Sequence, residues 1–414
     1  MVLSAFTRRL GRLGLAAKLA VRSFTRIDTN PVPREWTHIT KVDPEDEKRL
    51  PLLYPLYLQH TSAISVGGSR DVNSTNTEET FELLGVVDVP VFHEPSAARH
   101  VTERTRAHSE FLAIPEVLNG DSSAIVGTLG EGTAYLRNEM VPALLADRVG
   151  WLPAGWLTTL ADFVTSWLLE SAVFEAYIIQ NVDSAAAREA NVTEADLLTP
   201  AEAAQRALAA EKHLESQVIY LEYSGTYGGD EATAILSAIR DEISWSRLWY
   251  GGGIASREDA TAVLEAGADT VIVGNAFHEI AVEEVELVEQ AKESLSTDAS
   301  PAAIRDWLSS AVEPIDTEVF GYLSTIPDLA DPKEATERYL ARTIELHFAV
   351  TRASMANDEI GDRRVSDWTD FDPSTLPDAY WDLIATAVAP GDGRQEPETG
   401  SLLRHLSGLE PHLQ

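Results

Sequence analysis

Three short apolar runs, each ending in glycine, serine or asparagine, constrain this chain more than any other feature. They are Val218-Ile219-Tyr220-Leu221-Glu222-Tyr223-Ser224-Gly225, Leu248-Trp249-Tyr250-Gly251-Gly252-Gly253-Ile254 and Thr270-Val271-Ile272-Val273-Gly274-Asn275. Helical patterns over Asp230 to Ile243 and Ser256 to Ala266 separate them, so the stretch reads as consecutive parallel βαβ units. Glycines at the strand ends let backbone N–H groups approach an anion closely. A phosphate site built from the last loops of a (β/α)8 barrel is a recurring use of that fold. Gly-Gly-Gly alone would also serve as a tight turn with positive φ; the order of the three pieces carries the argument.

Five further strand patterns precede these: Trp36 to Pro44, Ser62 to Ser69, Val89 to Glu94, Phe111 to Val117 and Glu175 to Asn181. The count of eight completes a (β/α)8 barrel, an α/β fold, over residues 31–295. Polar residues gather where these strands end, the position of active sites in such barrels, and the candidates are Lys41, Asp43, Ser69, Glu94, Asn119, Glu222 and Ser224. Any one of them alone is equally a cap or turn residue.

Composition limits the setting. The 414 residues contain no cysteine, and 66 carboxylates against 32 Lys+Arg leave a net charge of −34. This describes a soluble, intracellular, cytoplasmic protein whose acidic surface suits high salt, where screening removes self-repulsion. Nucleic acid is excluded as a partner because no broad basic field exists. Residues 1–30 break the acidic rule. Arg8, Arg9, Arg12, Lys18, Arg22 and Arg26 face away from Phe6, Leu10, Leu13, Ala17, Val21 and Phe24, which makes residues 4–26 either a helix at the inner face of the membrane or one docked on the acidic body.

Two segments exceed a minimal barrel. Between strands four and five, roughly Val141 to Leu169 carries Trp151, Trp156, Phe163 and Trp167. It reads as a lid over an apolar ligand, a contact with lipid headgroups through 151–168, or a buried hairpin against the C-terminal extension. Pro142 and Pro153 divide it into more than one helix. Residues 296–414 form a mainly helical extension of unreadable role, with helices over Pro301 to Val312, Asp331 to Ala356 and Leu376 to Val388 and a loose stretch at Gly391 to Gly400. Glu345, His347 and Asp358 there are expected on solvated faces.

The runs Trp-Thr-His-Ile-Thr-Lys-Val-Asp-Pro (36 to 44), Val-Gly-Gly-Ser (66 to 69), Glu-Ala-Tyr-Ile-Ile-Gln-Asn-Val-Asp-Ser (175 to 184), Tyr-Leu-Glu-Tyr-Ser-Gly (220 to 225), Tyr-Gly-Gly-Gly-Ile (250 to 254) and Val-Gly-Asn-Ala (273 to 276) resemble the geranylgeranylglyceryl phosphate synthase family, which includes bacterial heptaprenylglyceryl phosphate synthases. With the acidic composition, the resemblance suggests a haloarchaeal member. It implies a Mg²⁺-dependent prenyltransferase joining sn-glycerol 1-phosphate to a prenyl diphosphate, with release of diphosphate, to make the first ether bond of archaeal-type lipids. It assigns Asp43 and Ser69 to the metal, and Lys41, Tyr220, Leu221, Glu222, Tyr223, Ser224, Gly225, Gly253, Gly274 and Asn275 to glycerol phosphate. Glu222 is the expected general base, with Tyr220 orienting the hydroxyl or facing the allylic cation. Glu45-Asp46 stand where relatives often place a lysine, and the loop after Gly225 is one residue longer than usual. A degenerate paralogue acting as a prenyl-lipid binding or scaffold protein, a different phosphate-handling barrel and a homo-oligomer remain open. The low wall at Gly127 to Ala134 implies room for a C20 or longer chain, unless these glycines only punctuate a loop or the Trp-rich insertion closes the space they leave.

Overall fold

A computed structural model describes residues 27–45, 49–121, 128–149, 151, 153–274, 276–355 and 380. The basic helix expected at 4–26, Asn275, Asp358 and the stretches at 376–388 (Tyr380 excepted) and 391–400 therefore lie outside the described residues.

All eight expected strands form, as β1 (His38–Val42), β2 (Ala63–Val66), β3 (Val91–His93), β4 (Ala113–Val117), β5 (Val173–Ile179), β6 (Val218–Glu222), β7 (Arg247–Gly251) and β8 (Thr270–Val273). They lie in the order β3-β2-β1-β8-β7-β6-β5-β4, every neighbour parallel. The ring closes between β3 and β4 through two backbone bonds, His93 N–H to the Phe111 carbonyl at 3.2 Å and Glu110 N–H to the Val91 carbonyl at 2.8 Å. The fold is a (β/α)8 barrel.

The helices α1 (Tyr54–Leu58), α2 (Ser74–Leu84) and α3 (Glu103–Ala107) follow the first three strands in turn. The β4–β5 connection holds α4 (Thr128–Tyr135), α5 (Val141–Val149) and α6 (Ala154–Glu170), and α7 (Ala185–Glu189) and α8 (Pro200–Ala209) lead to β6. Next come α9 (Gly229–Glu242), α10 (Arg257–Glu265) and α11 (Ala276–Ser294) after β6, β7 and β8, then α12 (Pro301–Ala311), α13 (Glu318–Ser324) and α14 (Pro332–Met355). Local chemistry sets many of these starts. Thr199 and Glu202 form a capping box on α8, and the Ser256 and Thr317 hydroxyls cap α10 and α13.

Because most of the strands are buried on both faces, two apolar cores form. Ile39, Ala63, Phe92, Tyr177, Tyr220, Trp249 and Ile272 fill the barrel, whereas Val42, Ile64, Leu221, Tyr250 and Val271 pack outward against helices. The segment before β1 makes the floor: Asn30 Nδ2 donates to the Gln217 and Trp245 carbonyls at 2.9 and 3.0 Å, and Arg247, ion-paired with Asp28, donates from Nε to the Val32 carbonyl at 2.9 Å.

The insertion is a helical hairpin, as its prolines imply. Pro153 caps α6, and Pro142 follows a π-helical turn at Leu136–Met140; the wider turn relieves the clash a proline ring makes with the carbonyl four residues back. Val141, Ala161 and Leu168 form a small core of its own. The buried-hairpin alternative fails, because Trp151, Trp156, Phe163 and Trp167 are all exposed.

The extension corrects another expectation. Glu345 and His347 are buried, not solvated, because α14 packs on the barrel. The Tyr339 ring meets Tyr57 edge-on at 5.4 Å, and Glu284 of α11 accepts bonds from Leu52 N–H (2.6 Å), Tyr57 OH (3.0 Å) and Thr343 Oγ1 (3.0 Å). Helix α13 was not among the expected elements; at seven residues it is too short for its periodicity to show.

Candidate active site

The inward positions of the strands set one polar layer above the apolar barrel core. Lys41 of β1 reaches Glu94, which directly follows β3, with Nζ at 3.0 and 3.1 Å from its two oxygens. Ser65 Oγ and Tyr177 OH donate to the same carboxylate at 3.0 and 2.7 Å. Burial alone would raise the Glu94 pKa, but Lys41 and these donors hold it below the usual carboxylate value. Burial likewise opposes the charge on Lys41, and Glu94 and Asp43 more than restore it, so its pKa is raised.

Glu175, on β5 two residues before Tyr177, has neither oxygen hydrogen-bonded and is fully buried. Burial and then the nearby charge of Glu94 push its pKa well above normal. Glu222, at the end of β6, is also buried. One oxygen accepts the Ser224 N–H at 3.0 Å and the other has no hydrogen-bond partner. Burial raises its pKa against the pull of Ser224 and Lys41. A free, buried carboxylate oxygen with an elevated pKa is the form a general base takes.

Tyr220 lies beside Tyr177, ring centroids 4.4 Å apart, and its hydroxyl passes so close over Gly251 that any Cβ there would overlap it. Around this pocket the rim residues Ser224, Gly225, Gly253 and Gly274 are exposed at the ends of β6, β7 and β8. Gly253 has φ +52°, and a Cβ on it would strike the Thr226–Tyr227 peptide, so only glycine brings its backbone this close. A Cβ on Gly274 would meet Lys41 Cβ at 3.9 Å.

The structure thus gathers Lys41, Tyr220, Glu222, Ser224, Gly225, Gly253 and Gly274 at one end of the barrel. It does not bring in the side chains of Leu221 and Tyr223. Leu221 points outward into the helix layer, and Tyr223 OH donates to Glu231 of α9 at 3.0 Å, since alternate strand residues face opposite ways. Asn119 is structural: its amide bonds both the N–H and the carbonyl of Ile179 and so extends the β5 edge. Glu175, Tyr177 and Ser65 belong to the site although strand-end reasoning passed them over.

For a cation, the relevant pair is Asp43 and Ser69 in the loops after β1 and β2. Glu45 ties these loops together by accepting the Ser69 and Arg70 N–H groups at 3.2 and 3.0 Å. Asp43 is half-buried and Ser69 exposed. One carboxylate and one hydroxyl fit Mg²⁺, which takes few protein oxygens and completes its shell with substrate phosphate and water. Among the described residues no cluster of three or more His, Cys, Asp or Glu forms a self-sufficient metal cage.

Residues 32–292 match the PcrB family. The chain belongs to that family. It is 31% identical over 249 residues to the geranylgeranylglyceryl phosphate synthase of Methanoculleus marisnigri, covering 59% of this chain and 92% of the relative. It is 32% identical over 245 residues to the heptaprenylglyceryl phosphate synthase of Listeria welshimeri, covering 58% and 92%. Among solved structures, the (S)-3-O-geranylgeranylglyceryl phosphate synthase of Thermoplasma acidophilum in complex with sn-glycerol-1-phosphate aligns with a TM-score of 0.42 at 20% identity, over 58% of this chain and 85% of that one. The PcrB match ends before α12, so α12, α13 and α14 lie outside it.

Proposed function

We propose that this PcrB-family chain is a prenyltransferase that joins sn-glycerol 1-phosphate to a prenyl diphosphate, with geranylgeranyl diphosphate as the donor, to form the first ether bond of archaeal-type membrane lipids. The names of its relatives support the reaction class. The observation that carries the reading is the free buried oxygen of Glu222 beneath an exposed rim of Ser224, Gly225, Gly253 and Gly274. The glycines of that rim offer backbone N–H groups to a phosphate, and the Lys41 side chain, paired with Glu94, rises past Gly274.

In the proposed step the glycerol hydroxyl oxygen bonds to the first prenyl carbon while the bond from that carbon to the diphosphate oxygen breaks. Diphosphate leaves with the electron pair, and Glu222 takes the hydroxyl proton. Tyr220 faces the reacting carbons with its ring and packs the hydroxyl into line. Asp43 and Ser69 would hold Mg²⁺, which when bound neutralises the diphosphate and eases its departure. The burial that keeps Tyr220, Tyr177 and Trp249 from solvent also keeps water from competing for the allylic carbon.

The same proposal places the protein in the cytoplasm with a peripheral hold on the membrane's inner face through residues 4–26 and 151–168. Among the described residues no helix is long and apolar enough to cross a membrane, while Trp151, Trp156, Phe163 and Trp167 are 57–81% exposed. Vesicle sedimentation of a variant with Trp156, Phe163 and Trp167 changed to Ser tests it: unchanged sedimentation sinks the contact, and a shift in oligomer mass instead assigns the face to a second copy. The exposed aromatic helix also supports the alternative of a catalytically silent lipid-binding scaffold. The purified protein, incubated in high salt with labelled sn-glycerol 1-phosphate, prenyl diphosphates and Mg²⁺ or a chelator, separates the two. Metal-dependent ether product supports the enzyme; prenyl-lipid binding without product supports the scaffold.

A further inference from the structure

The helices beyond the family match are fastened to the barrel at β1, at the loop after β7 and at α11 by several specific contacts. On β1 the two outward polar residues, His38 and Thr40, are buried. Thr40 Oγ1 lies 2.8 Å from Tyr322 OH of α13, and His38 Nε2 lies 3.1 Å from Thr325 Oγ1 just beyond α13. Thr40 is the chain neighbour of Lys41. On the next side, a Cβ on Gly321 would meet the Ala255 carbonyl at 3.7 Å, two residues after Gly253. Arg257, the first residue of α10, donates to the Leu329 carbonyl at 2.6 Å. On the third side, Glu283 of α11 accepts the first two N–H groups of α13, from Glu318 at 3.0 Å and Val319 at 3.2 Å.

Helix α13 and the residues just after it therefore touch β1, which carries Lys41, the loop that holds Gly253, and α11, the helix that follows Gly274. We infer that α13 braces the glycerol-phosphate end of the site, with Tyr322 a positioning residue that sets Lys41 through Thr40 and Gly321 setting the height of the Gly253 loop. The inference rests on the proposed reaction. The physical reason is that an anion held by backbone N–H groups and one lysine binds only as well as those groups are pre-placed, and small displacements cost affinity steeply. The extension supplies what the bare barrel lacks, since without α13 the Thr40 hydroxyl loses its Tyr322 partner and the loop after β7 loses its backing.

The test uses the full chain with Tyr322→Phe, Thr40→Val, the double variant and Gly321→Leu. It measures sn-glycerol 1-phosphate binding by calorimetry, steady-state constants for both substrates, and melting temperature. Losing one buried hydrogen bond should raise the KM and Kd for sn-glycerol 1-phosphate about fivefold, leaving kcat and the prenyl diphosphate KM nearly unchanged. The double variant should be no worse than either single one, because both remove the same bond. Gly321→Leu favours the helix, so it should weaken glycerol-phosphate binding without lowering the melting temperature. Variants that melt earlier yet bind sn-glycerol 1-phosphate as the parent does would reduce α13 to a stabiliser of the fold and overturn the inference alone. A parent protein that fails to bind sn-glycerol 1-phosphate overturns it together with the proposed reaction.

Discussion

At the scale of single residues, Glu222 and Glu175 are two buried carboxylates with opposite consequences. Glu222→Gln keeps shape and hydrogen bonding but cannot take a proton, so kcat should fall about 10²- to 10⁴-fold with sn-glycerol 1-phosphate affinity retained. In the parent, kcat/KM should decline as pH drops through a value above the ordinary Glu range, because burial raises the Glu222 pKa. Lost affinity with kcat intact would recast Glu222 as a binding residue. Glu175 is raised further, by burial and Glu94. The folded chain then binds its proton more tightly than the unfolded one, so Glu175 lowers stability progressively as pH rises above the unfolded value of about 4.3. Glu175→Gln should accordingly gain on the parent by about 1.4 kcal/mol per pH unit above that point, until the folded pKa is passed. Parallel melting-temperature curves for the two would refute this. Glu222 and Lys41 were legible in the sequence because they stand at or next to strand ends, where the apolar run stops, and Tyr220, in the middle of β6, through the family resemblance. Glu175, Tyr177 and Ser65 were not, since a parallel strand buried on both faces hides which residues point inward. Leu221 and Tyr223 were named as substrate contacts by the family resemblance, and their side chains face the helix layer.

At the scale of elements, the strands, the two-helix insertion and the helices α12 and α14 were readable, whereas α13 and the partner each helix packs against were not. Apolar periodicity shows that a helix has a covered side, but not which element covers it; thus α14 carries Glu345 and His347 into a buried face that its sequence reads as polar. In α4, whose glycines were read as a low wall, nothing lies within 4 Å of a Cβ on the exposed Gly130, and the Ala98 methyl, at 3.9 Å, meets one on Gly132. Ala98 lies in the connection between β3 and α3, so Gly132 packs beside that loop. Gly132→Trp should penalise long donors selectively, as each methylene denied burial costs roughly 0.8 kcal/mol. Relative kcat/KM for C15, C20 and C25 diphosphates checks this, and identical donor profiles would move the tail path elsewhere, toward Trp156.

At the scale of the whole molecule, the barrel and its extension share one outer core and one acid weakness. Burial lowers the pKa of His38 to about 3; burial, then His100, lowers that of His93 to about 4. Both rings are neutral in the fold and protonate in the unfolded chain below about pH 6.5. Stability should therefore be fully present above pH 6.5 and fall as pH drops toward 4, by on the order of 1.4 kcal/mol per unit for each ring. His38→Gln should flatten that part of the melting-temperature curve; an unchanged slope would assign acid sensitivity to the carboxylates. The bonds His38 makes have a further consequence, one of timing. Thr325 lies 287 positions after His38, and Tyr322 lies 282 after Thr40, while β8 must be made before β1 gains its second neighbour. The first strand to leave the ribosome is thus the last to be enclosed, and during synthesis its outer face waits for more than two thirds of the chain. Pulse-labelled refolding should show the amides of β1 and α13 becoming protected in the same late phase, and protection of β1 well ahead of α13 would contradict it.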